Sequence, residues 1–205
     1  MASFMAKDYE TTFNSVGSML KFEEEKVTFK PNENNGLRLL QVRCQMCMGD
    51  MEKALEMLEA NKDHILDQIK FYELQGQLRL NLNNHEEALD SFEHLLELNA
   101  ANFETYYKLI ECHKVDLPKD RTTFARHNLS EEDSVKVNEV LHKYQQSFPR
   151  VNAPSRIALK LLKGDLFKAA LKKFVRPLLI KGAPSVMTDL KELYHDSEKV
   201  AGIQE

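Results

Sequence analysis

The chain has 205 residues, 42% of them hydrophobic, which is enough apolar material for a buried core and excludes a chain that is disordered throughout. Its formal net charge of −4 is small, and no apolar run approaches the roughly 18 residues of a membrane span. Only seven Gly and six Pro occur beside abundant Leu, Glu, Lys and Ala, so the composition predicts an all-α protein.

Residues 1–34 are predicted to form an N-terminal helix and a loop. The helix runs from about Tyr9 to Lys30, and the loop is "FKPNENNG". The first seven residues lack the apolar region of a signal peptide. We therefore expect a cytoplasmic protein without membrane contacts.

An internal repeat follows the loop. "GDMEKALEML" and "NNHEEALDSF" align with an offset of 34 residues, which places Ala54 on Ala88 and Leu58 on Phe92. Gly76 lies 12 residues before Ala88, where a second small residue lets two helices approach closely. A period of 34 is that of the tetratricopeptide repeat, a pair of antiparallel helices. The sequence thus predicts a helical-hairpin solenoid, that is, an α-α superhelix.

The whole segment 35–205 can be divided into such repeats. Ser130, with Asp133 three residues later, is a helix-start signal, and Pro154 and Pro184 favour the first turns of two further helices. Leu166 to Val175 is predicted as a helix after a turn at "GD". The final "EKVAGIQE" resembles an interrupted helix, so we expect the chain to be a fragment. The repeats are 35–68, 69–102, 103–149 with an insertion at 115–130, 150–181 and a partial repeat at 182–205.

Cys44 and Cys47 form a CxxC pair inside the first repeat helix. Both thiols are predicted to be buried and inert, because a zinc site would need two more ligands and no matching pair occurs. The chain also lacks the glycine loops that bind nucleotides or acetyl-coenzyme A. We therefore predict no catalytic, cofactor-binding or metal-binding residue, and no enzyme activity for the chain alone.

The segment from Arg150 to Lys181 is strongly basic, with nine Lys and Arg against one Asp. Lys168, Lys172 and Arg176 recur every four residues and are predicted to form one exposed stripe, with Lys160 and Lys163 nearby. Such a stripe suits an anionic partner: an inositol phosphate, ribosomal RNA or an acidic protein face. The alternative is a solvated helix face that only keeps the protein soluble.

Two stretches carry a family resemblance: "FPRVNAPSRIALKLLKGDLFKAALKKFVR" and "KGAPSVMTDLKELYHDSEK". Together they resemble the large tetratricopeptide auxiliary subunit of the N-terminal acetyltransferase A complex. "RLLQVRCQMCMGDMEKALEMLEANKDHILDQ" and the next repeat are similar to the preceding repeats of that subunit, so the resemblance extends from Asn35 onward. The insertion near Asp116–Asn128 departs from the pattern.

The resemblance implies a non-catalytic scaffold that binds a GNAT-type catalytic subunit and helps to tether it to the ribosome. Acetyl-coenzyme A would bind the catalytic partner, and an inositol polyphosphate would lie at the subunit junction, for which the resemblance assigns no particular residue of this chain. Two other interpretations remain open: a generic tetratricopeptide adaptor for protein partners, and an RNA- or ribosome-associated helical-repeat protein that uses the basic segment 150–181.

Overall fold

The structure is a computed structural model that describes residues 8–25, 34–118 and 129–204, and all regular structure within these ranges is helical. This confirms the predicted all-α fold. One short 3₁₀ turn, Lys62–His64, separates two of the helices. The α-helices are α1 (Tyr9–Glu24), α2 (Asn35–Cys47), α3 (Met51–Ala60), α4 (Gln68–Asn81), α5 (His85–Leu98), α6 (Phe103–Cys112), α7 (Glu131–Ser147), α8 (Ala153–Leu161), α9 (Gly164–Ile180), α10 (Ser185–Leu193) and α11 (Ser197–Gln204).

The helices belong to two compact units, and the first spans Met1–Leu98. Within this unit, each helix from α1 to α4 packs against the next one along the chain. The core of this unit lies between α2, α3 and α4, where one face of each helix is apolar. Its buried members are Leu39, Val42, Ala54, Leu58, Ile65, Phe71, Leu74 and Leu78.

The turns within the first two hairpins repeat as the helices do. Gly49 and Asn83 stand 34 residues apart, and both have positive φ, 91° and 63°. A residue in this left-handed conformation ends a helix and reverses the chain, and Gly and Asn adopt it with the least strain. The repeat is therefore encoded in the turns as well as in the core.

The second unit spans Asn99–Glu205 and contains α6 to α11. Here α8 is central, because it packs against α6, α7, α9 and α10, while α11 packs against α9. The Ser130 side chain accepts a hydrogen bond from the Asp133 backbone N–H at 3.0 Å, and its hydroxyl donates to the Asp133 carboxylate at 2.7 Å. The predicted start of α7 is thus confirmed.

Several predicted boundaries differ from the structure. Asn35 and Gly36, assigned to a loop, form the first turn of α2. The turn predicted at Gly164 lies between α8 and α9, where Gly164 has a positive φ of 55°, but α9 extends beyond the predicted Val175 to Ile180 and includes Pro177. The predicted helix after Tyr9 ends at Glu24, and its expected continuation lies outside the described residues.

The insertion predicted at 115–130 is partly a core segment. Val115 and Leu117 are 2% and 5% exposed, although the residues around them show no apolar period. An extended segment can bury isolated side chains without a helical pattern, which explains why periodicity missed them. Residues 119–128 of the insertion lie outside the described part of the chain.

Candidate functional site

The positions that define the repeat lie in the interior of the first unit. Ala54, Leu58 and Ala88 have no exposed surface, and Phe92 is 2% exposed. A Cβ atom placed on Gly76 would lie 2.7 Å from two carbon atoms of the Phe92 ring, closer than real contacts allow. Helices α4 and α5 can therefore pack at this distance only because residue 76 has no side chain.

A polar network also joins α3, α4 and α5. The Arg79 guanidinium donates to the Glu59 carboxylate at 3.0 Å and to the Ser91 hydroxyl at 3.1 Å. The Gln75 amide donates to the same Glu59 oxygen at 3.1 Å, and its carbonyl accepts from Ser91 at 3.2 Å. The sequence gives no signal for this network, because its members follow no known spacing. Its role is to hold neighbouring repeats in register.

The two thiols of the CxxC pair have different surroundings. Cys44 is buried, but Cys47 is exposed, so the prediction that both are buried is wrong for Cys47. Cys47 is the last residue of α2, and the Tyr9 side chain of α1 interacts with it without covering it. Burial, and next the neighbouring Cys47, raise the pKa of Cys44, while burial raises the pKa of Cys112 to about 12.

The structure shows no metal site in the part of the chain that it describes. Within residues 8–25, 34–118 and 129–204, no group of three or more His, Cys, Asp or Glu side chains is arranged to hold an ion. Nor does any helix in these ranges have the length and apolar character to cross a membrane.

The basic stripe lies on α9, and its three members are unequally exposed. Lys172 and Arg176 are exposed, while Lys168 is half-buried. Helix α11 covers this part of α9, because the Lys168 Cγ lies 3.6 Å from the position of a Cβ on Gly202. The stripe therefore offers two exposed cations and a third at the edge of α11.

The two other basic residues predicted near the stripe lie at the junction of α8, α9 and α11. The Lys163 Nζ is 3.9 Å from the carboxylate of Asp196, which is 8% exposed. The backbone carbonyl of Lys160 accepts a hydrogen bond of 2.6 Å from the Lys199 ammonium. Both residues thus contribute to packing between helices, which charge counting could not reveal.

Lys199 itself is almost completely buried, with 2% of its surface exposed. Its ammonium donates to the carbonyl of Leu159 at 2.8 Å as well as to that of Lys160, and it lies 5.5 Å from the centre of the Phe167 ring. Carbonyls in the last turn of a helix have no partner within the helix and carry partial negative charge. Lys199 on α11 therefore caps the C-terminus of α8.

A small cavity lies beside Lys199. It has a volume of about 250 Å³ and is lined by the start of α9, including Gly164, Phe167 and Lys168, and by Ala201 and Gly202 of α11. The side chains around it include no group placed as a nucleophile or general base with a second group to orient it. Nothing in this geometry indicates catalysis.

Comparisons with known proteins agree with the repeat geometry. The family model described as "N-terminal acetyltransferase A, auxiliary subunit" matches residues 32–205. The chain is similar to "N-alpha-acetyltransferase 16, NatA auxiliary subunit" of Mus musculus and of Homo sapiens, with 30% and 25% identity over all 205 residues, and it spans 22% of each relative. "N-terminal acetyltransferase A complex auxiliary subunit NAA15" of Arabidopsis thaliana is 30% identical over 151 residues, which are 74% of this chain and 16% of that protein.

Two solved structures share the fold. "Structure of Naa15/Naa10 bound to HypK-THB" superposes on 98% of this chain and 28% of the matched chain, with a TM-score of 0.78 and 25% identity. "Crystal structure of MamA" covers 98% of this chain and 95% of that chain, with a TM-score of 0.51 and 17% identity. The second similarity shows the fold alone. The first comes from the same family that the sequence comparisons identify.

Proposed function

The chain belongs to the family of auxiliary subunits of the N-terminal acetyltransferase A complex, and from this premise we propose that it acts as a non-catalytic scaffold that binds a GNAT-type catalytic subunit. The observation that carries the proposal is the family match over residues 32–205 of a helical-repeat fold. The relatives are named as auxiliary subunits of the complex. The chain spans about a fifth of their length, so it would supply one section of the scaffold.

The fold suits this role physically. Each helical hairpin is too thin to bury its own apolar face, so hairpins stack against their neighbours. The stack presents an extended outer surface that a partner can bind. The solved relative carries Naa10 beside Naa15 in one complex. A similar surface here would hold the catalytic subunit, while that subunit would bind acetyl-coenzyme A and perform the transfer.

Reconstitution tests the scaffold proposal. The chain, co-expressed with a catalytic subunit of the GNAT type, is expected to co-purify with it on an affinity tag. Acetyl-coenzyme A and peptides that begin with Ser or Ala should give no turnover with the chain alone, and turnover once the catalytic subunit is present. A chain that acetylates these peptides by itself, or that never co-purifies with the subunit, would contradict the proposal.

We further propose that the exposed cations of α9 help to tether the complex to the ribosome in the cytoplasm, where nascent chains emerge. Lys172 and Arg176 are exposed on one face of α9, in a segment with nine basic residues and one acidic residue. Ribosomal RNA is a polyanion, and binding that neutralises phosphates weakens steeply with salt.

Sedimentation with ribosomes at increasing salt tests the tether. In the double variant Lys172→Glu and Arg176→Glu, we expect the slope of log affinity against log salt to fall by roughly two, one unit for each lost phosphate contact. The matched control is Lys191→Glu, which reverses an exposed charge on α10. Equal losses in the two variants, or none in either, would exclude the stripe as the contact.

A further inference from the structure

A groove runs between α7 and α9, with α8 as its floor. Its volume is about 270 Å³, and Leu141 of α7, Ala158 of α8 and Phe174 of α9 lie at its base. Sites for small molecules and cofactors usually enclose roughly 300–1,000 Å³. The groove is therefore better sized for one or two side chains of a larger partner than for a whole cofactor.

Small side chains keep the groove open. Ser155 and Ala170 line it on opposite sides. The Ser155 hydroxyl donates to the Gln145 carbonyl at 2.8 Å, and the Gln145 amide donates to the Val151 backbone carbonyl at 3.1 Å. These polar groups are satisfied by one another, so an apolar side chain can enter without leaving them unpaired. The α8 side of the groove can therefore bind an apolar side chain without any rearrangement of these hydrogen bonds.

The rim of the groove carries the cation of Lys173. Lys173 lines it from α9, and none of the described residues that line it is acidic. Lys173 is exposed and forms no ion pair within the described residues. The groove also lies in the most basic segment of the chain. A charge of the opposite sign on the partner would complement this rim and steer its approach.

We propose that this groove binds an acidic peptide segment that inserts one apolar side chain between Leu141, Ala158 and Phe174 and places a carboxylate at Lys173. The partner's carboxylate is what Lys173 selects, and its apolar residue is what the base of the groove selects. This proposal goes beyond the proposed scaffold function and does not depend on it, since its test needs no catalytic subunit.

Fluorescence anisotropy of the 205-residue chain tests the proposal. The probe is a fluorescein-labelled peptide of Asp and Glu residues with one central Leu. We expect saturable binding that weakens about tenfold when the peptide Leu is replaced by Ala, because an apolar side chain then stays out of the groove. The Lys173→Glu variant should weaken binding about tenfold as well, because it replaces attraction by repulsion.

Lys172→Glu is the matched control for Lys173→Glu. The two residues are neighbours on α9 and both are exposed, but only Lys173 lines the groove. We expect Lys172→Glu to weaken peptide binding less than about threefold, because its charge acts only at a distance. A single-stranded RNA oligonucleotide should show the reverse order, because Lys172 lies in the stripe.

A second variant separates the groove from general electrostatic attraction. Ala170→Leu adds bulk to the groove wall, so it should weaken the Leu peptide about tenfold and leave the Ala peptide unchanged. Circular dichroism should show unchanged helix content in each variant. Two outcomes would overturn the proposal: equal effects of Lys172→Glu and Lys173→Glu on binding of the Leu peptide, or no preference for the Leu peptide over the Ala peptide.

Discussion

The two units use charged side chains in different ways. Residues 1–98 contain 10 basic and 18 acidic residues, a net charge of −8, whereas residues 99–205 contain 18 and 14, a net charge of +4. In the first unit, Arg79 joins three helices through side chains. In the second, Lys199 binds backbone carbonyls at the end of a helix. A cationic side chain thus links neighbouring helices through side chains in the first unit and caps a helix end in the second.

The comparison also shows which charges of the second unit are committed to the fold. Lys199 caps α8, and the Arg156 guanidinium lies 2.9 Å from the Asp189 carboxylate. Lys172, Lys173 and Arg176 are exposed on α9 instead. A charge count from sequence therefore overstates the basic surface, and three of the exposed cations of this unit lie together on α9.

The largest effect that would test the comparison concerns the close contact in the first unit. We expect Phe92→Ala to lower the free energy of unfolding by about 3–5 kcal/mol, because it removes a large buried ring and leaves a cavity. Gly76→Ala should cost about 1–2 kcal/mol, since its new methyl group meets the Phe92 ring at 2.7 Å. Urea unfolding followed by circular dichroism measures both.

The double variant decides whether the two residues act on each other. With Phe92 already replaced by Ala, Gly76→Ala should become neutral or slightly stabilising, because Ala favours a helix over Gly. The control is Gly36→Ala in α2, where a Cβ meets nothing within 4 Å and where we expect a gain of about 0.5–1 kcal/mol. Additive effects of Gly76→Ala and Phe92→Ala would mean that the contact does not limit helix approach.

A smaller effect is expected in the second unit from Lys199→Met. Methionine retains most of the buried volume but leaves the carbonyls of Leu159 and Lys160 without their charged donor, so we expect a loss of about 2 kcal/mol. The exposed Lys191 provides the control, and Lys191→Met should change the free energy of unfolding by less than about 0.5 kcal/mol. If both variants unfold at the same urea concentration, the capping role of Lys199 is wrong.

The first unit was the easier one to predict. Its two hairpins repeat with one period, so Ala54, Ala88 and Phe92 reveal both the helix pairs and the faces that meet. The all-α fold follows from composition, whereas the family resemblance is carried chiefly by motifs between Phe148 and Lys199 in the second unit. Periodicity reports which face of a helix is buried, and that information lies within a few turns of chain.

The second unit shows what local pattern cannot supply. The contact of Lys199 with the end of α8 joins residues about 40 positions apart, and it depends on where α11 packs. The partial cover of Lys168 by α11 has the same origin. Sequence spacing placed the stripe on one helix face, but the exposure of each cation is decided by helices that come later in the chain.

The cysteines give the smallest effect and the sharpest comparison of the two units, because each unit contains one buried thiol. In the native protein we expect a thiol reagent to modify Cys47 alone, with no change in stability, since Cys47 is exposed while Cys44 and Cys112 are buried.

In a Cys47→Ser variant, the two remaining thiols are both buried, so each reacts with the reagent only when its own unit unfolds. Unfolding of the first unit would expose Cys44, and unfolding of the second would expose Cys112. Pulse labelling with mass spectrometry in increasing urea should find Gly76→Ala shifting the exposure of Cys44 and Lys199→Met shifting that of Cys112. Stacked hairpins are stabilised chiefly by their nearest neighbours, so a substitution acts first on its own unit. Identical shifts of both thiols in both variants would instead make the chain one cooperative unit.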